Sequence, residues 1–351
     1  MKIAHFVSFA PKRSGLYETV RDLCLSEIEL NHEAKLVDSG DLNEERATFR
    51  FDRGVDIANI KWACEADVFV LHSMIPQKLW GSKPTVLVLH GAPEYVFYSQ
   101  LFYHKAGDGG HSTLILYSTQ DWIRKCVTFW PRHVPFWQII FGDGKVVLCP
   151  PPVRISDYAP DGDKHVFKIV GEPNVGFCDT WRPTFFKDPF QILAGFREYW
   201  KKNNKARLQL FGIPSDAKRS DEWGGVWDKH ILAIKRTGDF LGEIYELYPK
   251  MADVYRALDM VITPTVDASR VVRESLSCGT PVIGPHGNKY ANFTCNIDDP
   301  SSVSDALSAA WSVVSSPSSK HATKQECLNR AKQFDSMVSA QKFIEVLQSI
   351  V

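Results

Sequence analysis

Apolar residues in this sequence follow a repeated pattern: a short apolar run, a polar turn, and a stretch with apolar residues at helical spacing. The runs VFVL at 68–71 and VLVL at 86–89 are apolar at every position, and the first helical stretch places Val20, Leu23 and Cys24 on one face. Short strands without polar positions are typical of a parallel sheet that helices cover on both sides. The pattern therefore predicts a doubly wound α/β architecture.

The pattern is interrupted once, which predicts two domains. Pro150–Pro152 are followed by a stretch that is rich in proline, glycine and charge and has no periodicity. We expect an N-terminal domain at 1–152, a linker at 153–166 and a C-terminal domain at 167–335. The last stretch, 336–351, predicts a helix that packs back on the first domain. The chain is long enough for this, since 351 residues is roughly twice a typical domain.

Composition excludes several classes of protein. Hydrophobic residues make up 44% and charged residues 23% of the chain, which is the balance of a globular protein. The 41 Lys and Arg residues equal the 41 Asp and Glu residues, so no net charge attracts nucleic acid or anionic membrane in general. No run reaches the ~20 apolar residues of a transmembrane segment. The first residues predict a strand and not a signal peptide, and the eight cysteines form no CxxC pair, so we expect a cytoplasmic enzyme with reduced thiols.

The most specific motif lies at 264–284. A strand ends in Pro264, a polar loop runs to Arg270, and a helix that carries Glu274 leads into CGTPVIG. The block ESLSCGTPVIG resembles the second half of the signature of retaining GT-B glycosyltransferases of the family 4, or glycosyl transferase group 1, type. The resemblance implies the GT-B fold, in which two Rossmann-like, doubly wound parallel-sheet domains face a cleft.

The same resemblance implies an activity. A GT-B enzyme of this kind moves a sugar from a nucleotide-diphosphate sugar, held by the C-terminal domain, to an acceptor hydroxyl held by the N-terminal domain, with retention of configuration. We expect a hexosyltransferase-like enzyme with a UDP-sugar as co-substrate, no other cofactor and no obligatory metal. The acceptor is then a glycan, a lipid-linked hydroxyl or a small-molecule hydroxyl.

Candidate donor-site residues follow from the motif. Glu274 falls on the second Glu of the family signature, which binds the ribose hydroxyls, and a carboxylate is a strong acceptor for hydroxyl groups. The position of the first Glu is Val266 here, so Asp267 is the nearest carboxylate that could contact the donor sugar as a catalytic residue. Arg270 is a candidate for the diphosphate, because a guanidinium suits phosphate oxygens.

Weaker resemblances add further donor-site candidates at predicted strand ends. Arg182 and Lys187 resemble the Arg and Lys that neutralise the donor diphosphate in the family, where charge develops on cleavage. Gly15, in the turn after the first strand, would let backbone N–H groups approach a phosphate. The nucleoside would contact the chain at three further positions, with the backbone around Gly238 holding the base: Gly212, Phe240 and Gly242.

The N-terminal half supplies acceptor-side candidates. His90 ends a central strand, where family members often have a His near the donor sugar, and Glu94 is the alternative base. His72 and Ser118 end neighbouring apolar runs and are candidates for the acceptor lining. No paired ligand spacing such as HExxH occurs, so we expect no metal site.

Two alternatives stay open. Cations and aromatic residues interleave at 118–141, which predicts either an amphipathic helix packed on the sheet or a surface that stacks bases and sugars. The second interpretation makes nucleic acid a minority partner, with the chain acting as a viral- or phage-type glycosyltransferase of hydroxymethylated DNA bases. An NAD-dependent dehydrogenase is the other alternative, but no GxGxxG follows a predicted strand.

Overall fold

The computed structural model describes residues 1–7, 15–38, 54–72, 75–91, 93, 117–179, 190–212, 236, 238–245 and 250–351. They form two compact units, of which the first is Met1–Arg154 together with Phe334–Val351 and the second is Ile155–Gln333. Among the described residues, no helix has the length and apolar character that a membrane crossing requires.

Strands and helices alternate along both units. The strands are β1 (Lys2–Val7), β2 (Glu33–Asp38), β3 (Ile57–Ala58), β4 (Val68–Leu71), β5 (Thr85–Leu89), β6 (Ile123–Thr128), β7 (Val146–Leu148), β8 (Asn174–Phe177), β9 (Arg207–Phe211), β10 (Leu241–Tyr245), β11 (Met260–Ile262), β12 (Val282–Pro285) and β13 (Phe293–Cys295). The α-helices are α1 (Gly15–Glu29), α2 (Ile60–Cys64), α3 (Val134–Phe141), α4 (Phe190–Lys202), α5 (Met251–Ala257), α6 (Arg270–Ser277), α7 (Pro300–Val314), α8 (Pro317–Ala331) and α9 (Ser336–Gln348).

The first unit contains a parallel sheet of seven strands in the order β3-β2-β1-β4-β5-β6-β7. Side chains on both faces of its central strands are buried, as the unbroken apolar runs predict. On one face α1 packs against α9, where Ser26 Oγ donates to Ser336 Oγ at 2.8 Å and Phe343 is fully buried. The two ends of the chain therefore share one core.

The segment 118–141 corrects one of the two interpretations drawn from the sequence. It is not one amphipathic helix: residues 123–128 form β6, which pairs with β5 and β7, and α3 begins only at Val134. The physical reason is that Cys126, Val127 and Thr128 are buried in a strand that pairs on both edges, with β5 and β7. Lys125, near the start of this strand, reaches the carbonyl of Gly144 with its Nζ at 2.7 Å. Of the aromatic residues, Phe129 and Trp137 are buried in the unit's cores.

The second unit contains a parallel sheet of six strands in the order β10-β9-β8-β11-β12-β13. Its core lies between this sheet and helices that include α4 and α7. The chain order reverses between β8 and β11 here, and between β1 and β4 in the first unit. In open α/β sheets, ligands bind beyond the carboxyl ends of the strands at such reversals, so these two places are where a site is expected.

Candidate functional site

In the second unit, a hydrogen bond joins the ends of two strands at the point where the strand order reverses. Asp179 lies two residues beyond β8, and Thr263 follows β11 directly. Both side chains are buried, and Thr263 Oγ1 donates a hydrogen bond to Asp179 Oδ2. A buried carboxylate is therefore fixed at the carboxyl edge, where the fold favours ligand binding.

Side-chain hydrogen bonds hold the loop between β11 and α6. Thr265 Oγ1 lies 2.9 Å from Thr263 Oγ1 and donates to Ser269 Oγ at 3.1 Å. Asn288, from the loop after β12, is buried and donates from Nδ2 to the carbonyl of Thr265 at 2.8 Å. Its Oδ1 also accepts from the backbone of Tyr290 and Ala291, so the amide is held from both ends. These hydrogen bonds hold the loop, and with it the start of α6, at the carboxyl edge of the sheet.

Glu274 and Arg270 form an ion pair on α6. Arg270 Nε donates to Glu274 Oε1 at 2.5 Å, one helical turn apart, and the two side chains are 11% and 7% exposed. The guanidinium of Arg270 also lies over the ring of Tyr158, 5.9 Å from its centroid. Burial, followed by the charges of Asp179 and Glu274, raises the pKa of the Cys178 thiol well above its usual value. Both carboxylates are therefore close enough to the Cys178 thiol for their charges to affect it.

The other donor-site candidates of the second unit have different settings. Asp267 is half-buried in the loop before α6, where its carbonyl accepts from Ser269 N at 2.7 Å. Gly212 follows β9 with a φ of 88° and donates from its N–H to the carbonyl of Tyr245 at 3.1 Å. This left-handed conformation favours glycine. Their roles toward a ligand remain predictions.

Phe240 and Gly242 lie inside the fold of the second unit. The Phe240 ring is 1% exposed and packs near Phe196 and Trp200, and a Cβ on Gly242 would overlap the side chain of Gln209. Packing inside the fold therefore explains both the Phe240 ring and the glycine at 242. The sequence predicts that the backbone of this segment contacts the nucleoside, and that contact remains a prediction.

A series of hydrogen-bonded polar side chains, buried at Glu27, His5 and His72 and half-buried at His90, lies at the reversal of the first unit. Glu27 Oε2 on α1 is 2.6 Å from His5 Nε2 on β1. His5 Nδ1 is 3.0 Å from Nε2 of His72, which follows β4, and His72 Nδ1 is 2.7 Å from Nε2 of His90, which follows β5. Burial, with smaller effects from His90 and His5, lowers the pKa of His72 well below its usual value. The ring of His72 is therefore neutral at pH 7.

Two further candidates in the first unit are Gly15 and Ser118. Gly15 is exposed and begins α1, and its carbonyl accepts from Thr19 Oγ1 at 2.7 Å. Ser118 is half-buried in a helical turn beside Tyr117, whose hydroxyl accepts from the backbone of Ile75. Glu94, Arg182 and Lys187 lie outside the described residues, and their roles stay predictions.

Several residues of these sites were not found from the sequence, although a signal existed for most of them. Asp179 and Thr263 are the first polar side chains after apolar strands, and His5 is a polar residue inside one. Asn288 falls in a strand-end loop but has no distinguishing motif. Glu27 carries no signal in the linear sequence, because its burial depends on how α1 is turned.

Comparisons with known proteins show similarity at the level of structure. No family model matches the sequence, and the comparison with curated proteins likewise gives no match. The solved structure of HepE from Anabaena with UDP and glucose aligns over 99% of this chain and 100% of its own, with a TM-score of 0.74 and 12% identity. The fold is GT-B. The predicted fold class of two doubly wound parallel-sheet domains is thereby confirmed.

Two other solved structures share the GT-B fold with this chain. WaaG, a glycosyltransferase involved in lipopolysaccharide biosynthesis, aligns over 98% of this chain and 99% of its own, with a TM-score of 0.66 and 10% identity. An α-glucosyltransferase in complex with UDP and a 13-mer DNA containing an HMU base aligns over 99% of each chain, with a TM-score of 0.68 and 12% identity. At these identities the similarity establishes the GT-B fold alone.

Proposed function

We propose that this chain is a glycosyltransferase that takes a sugar from a UDP-sugar and transfers it to an acceptor hydroxyl. The observation that carries the proposal is Glu274, a buried carboxylate on the helix that follows the central strand at the reversal. Support also comes from GT-B structures that contain the corresponding ligands, namely HepE with UDP-glucose and GtfA, an O-GlcNAc transferase, with UDP and GlcNAc.

In this proposal the second unit binds the donor. Glu274 Oε1 accepts from Arg270, and we assign its other oxygen, Oε2, to the ribose hydroxyls. The guanidinium of Arg270, fixed by Glu274 and by the ring of Tyr158, contributes positive charge for the diphosphate. Asp267 in the preceding loop is assigned to the donor sugar.

Cleavage of the sugar–phosphate bond leaves negative charge on the departing diphosphate. Arg182 and Lys187, with Arg270, are the cations that we assign to this charge, and Gly15 is assigned to backbone contact with phosphate. Cations of this kind stabilise the leaving group without a metal ion, so we propose a metal-independent reaction. Retention of configuration is proposed from the family resemblance of the block at 274–284.

The first unit is assigned to the acceptor. His90, at the end of β5, would contact the sugar or stabilise the charge that develops on it, with Glu94 as the alternative base. His72 and Ser118 are assigned to the acceptor lining. Among these residues, the described part of the chain brings His72 and His90 into hydrogen-bonding distance.

Nucleotide binding tests the proposal, with Glu274→Gln as the decisive variant. Glutamine keeps the volume and an oxygen that can accept from Arg270, but it loses the charge that favours ribose hydroxyls. Titration calorimetry with UDP-glucose and with UDP, GDP, ADP and CDP, each with and without Mg²⁺, should show metal-independent binding of UDP ligands. We expect the variant to lose at least about tenfold in affinity, since hydrogen bonds to charged groups contribute roughly 1.5–3 kcal/mol.

Glu326→Gln is the matched control for this titration. Glu326 pairs with Arg330 at the same i,i+4 spacing on α8, and it is 50% exposed. This variant should bind UDP as the wild type does. Equal loss in both variants, or binding of NAD(H) in place of UDP ligands, would contradict the assignment, and the second result would favour the dehydrogenase alternative.

A DNA-base acceptor is the second candidate, because one structure with the same fold was solved with DNA containing an HMU base. Transfer from radiolabelled UDP-glucose to HMU-containing DNA, with unmodified DNA of the same sequence as control, tests this candidate. Label on the modified DNA alone would support it. Label on glycan or small-molecule acceptors, with none on either DNA, would favour the primary proposal.

A further inference from the structure

Asn288 joins two loops at the carboxyl edge of the second unit. It lies in the loop after β12 and is 2% exposed, and its Nδ2 donates at 2.8 Å to the carbonyl of Thr265, in the loop between β11 and α6. Oδ1 of the same amide accepts from the backbone N–H groups of Tyr290 and Ala291 at 3.0 Å and 3.2 Å. One buried side chain therefore connects loops that lie 23 residues apart in the sequence.

The backbone partners fix the orientation of this amide. An N–H group can only donate and a carbonyl oxygen can only accept, so Oδ1 of Asn288 faces the two N–H groups while Nδ2 faces Thr265. An ionised aspartate of the same shape has no hydrogen to donate to the Thr265 carbonyl, and two oxygens would face each other there. The contact therefore requires an amide and not a carboxylate.

The loop that Asn288 contacts leads into the donor-site candidates. Thr265 Oγ1 lies 2.9 Å from Thr263 Oγ1 and donates at 3.1 Å to Oγ of Ser269, the N-cap residue of α6. Between these residues, the carbonyl of Asp267 accepts from Ser269 N at 2.7 Å. The position of Asp267 and of the start of α6 is therefore set by a loop that Asn288 holds from the neighbouring strand end.

Glycines let the two loops approach each other. A Cβ on Gly284 would lie 3.1 Å from Asn288 Nδ2, and a Cβ on Gly287 would lie 3.4 Å from Cγ1 of Val266. The first distance is shorter than most contacts that a real Cβ makes, so glycine at 284 leaves the room that the amide occupies. Because the loops pack this closely, a displaced Asn288 would also displace the loop at 263–269.

We propose that Asn288 is a positioning residue, which fixes the loop at 263–269 so that Asp267 contacts the donor sugar. The ligand in this proposal rests on the proposed function, whereas the fixed loop rests on the structure. Glu274, which is assigned to the ribose, is held in a different way, because its helix is anchored by the fully buried Leu276. Loss of the amide contact should therefore impair sugar transfer more than nucleotide binding.

Amide hydrogen exchange of the ligand-free protein tests the fixed loop without reference to activity. In Asn288→Asp, peptides that cover 263–269 should exchange roughly two- to tenfold faster than in the wild type, the range that the loss of one hydrogen bond implies. Asn288→Ala removes the same contact without adding a charge, should show the same change, and decides the matter if the aspartate variant does not fold. Unchanged exchange of this loop in a folded variant would overturn the proposal.

Asn292→Asp is the matched control for the exchange experiment. Asn292 lies further along the same loop, and its Oδ1 accepts from the backbone N–H of Val282 at 3.0 Å. Its Nδ2 is buried and has no hydrogen-bond partner among the described residues, so aspartate keeps the contact with Val282. Exchange at 263–269 should stay at the wild-type rate. Acceleration equal to that in Asn288→Asp would show a general effect of the added charge and would contradict the role of Asn288.

Kinetics separate positioning from a merely structural role. If a UDP-sugar is transferred, kcat of Asn288→Asp should fall at least about tenfold, because a displacement of about 1 Å can cost about 10²-fold in rate. The Kd for UDP should stay within about threefold of the wild type, because Glu274 keeps its place on α6. Equal losses in kcat and in affinity for UDP, or an unchanged kcat, would contradict the positioning role.

The proposed function and the role of Asn288 can fail separately. If the wild type neither binds UDP nor transfers sugar, the proposed function fails, and exchange at 263–269 still shows whether Asn288 fixes the loop. If sugar is transferred but the loop exchanges equally with and without the amide, the proposed function stands and the positioning role is wrong.

Discussion

At the scale of residues, the most informative groups are buried charges. Taking two charges out of water costs free energy that their attraction does not always restore, so a buried ion pair is weak evidence for stability. Arg270 and Glu274 form such a pair, with side chains 11% and 7% exposed. The pair is therefore consistent with the donor-binding role proposed for both residues, which was assigned from the motif at 264–284.

The low pKa of His72 predicts a dependence of stability on pH. The folded-state pKa lies below the unfolded value of about 6.5, so the unfolded chain binds the extra proton. The free energy of unfolding should therefore fall as pH drops below about 6.5, by up to ~1.4 kcal/mol per pH unit for this one proton. Urea unfolding between pH 7.5 and 5.5 should show a shallower decline for His72→Gln than for the wild type.

His321→Gln is the control for this titration, because it removes a histidine that is exposed on α8. Its decline should follow the wild type. Parallel curves for His72→Gln and the wild type would mean that His72 takes up its proton equally in both states, which would contradict its buried, neutral state.

At the scale of elements, a glycine lies where helices α4 and α7 pack closely. Gly195 lies in α4, and a Cβ there would overlap Val303 and lie 2.9 Å from the carbonyl of Pro300 at the start of α7. Alanine favours a helix by about 1 kcal/mol over glycine, whereas overpacking costs roughly 1–3 kcal/mol. Gly195→Ala should therefore lower the free energy of unfolding by up to about 2 kcal/mol, measured by urea unfolding.

Gly144→Ala is the matched control for the helix contact. The space beside Gly144 is open, and its φ is not in the left-handed region. This variant should be as stable as the wild type or slightly more so, because alanine restricts the unfolded chain. A gain of stability in Gly195→Ala would show that the two helices can separate at little cost.

Elements also show how far the sequence could predict the fold. Strands such as β4 and β5 are apolar at nearly every position because both faces are buried, and the sequence predicts them directly. β6 escaped prediction because Arg124 is exposed and Lys125 reaches out to Gly144, so charges at the strand's start conceal its buried end. The pattern of apolar residues along the sequence therefore indicates a buried strand clearly only where every residue of that strand is buried.

The candidate sites show the same limit. Glu274 could be placed because it belongs to a motif, ESLSCGTPVIG, whose spacing is specific. Glu27 and Glu29 look alike in the sequence, yet Glu27 is fully buried against His5, whereas Glu29 is exposed beside Arg154. The rotation of α1 on the sheet separates the two, and that depends on tertiary packing.

At the scale of the whole molecule, the first unit is built from both ends of the chain. Phe343 on α9 is fully buried in the core that β1 and α1 share. Phe343→Ala should lower the free energy of unfolding by about 3–5 kcal/mol, because it leaves a cavity in this core. Urea unfolding followed by tryptophan fluorescence measures the change.

Val338→Ala on the same helix is the control. Val338 is 45% exposed, and such surface substitutions usually change stability by less than about 0.5 kcal/mol. Similar small effects for both variants would mean that α9 contributes little to the first unit, contrary to its packing in the structure.

Amide hydrogen exchange, with and without saturating UDP, tests most directly the claim that the second unit binds the nucleotide at the reversal between β8 and β11. The account predicts slower exchange in the loop and helix from Thr263 to Ser277 and in the loop that holds Asn288. Protection confined to the first unit, or no change in exchange at saturating UDP, would contradict it.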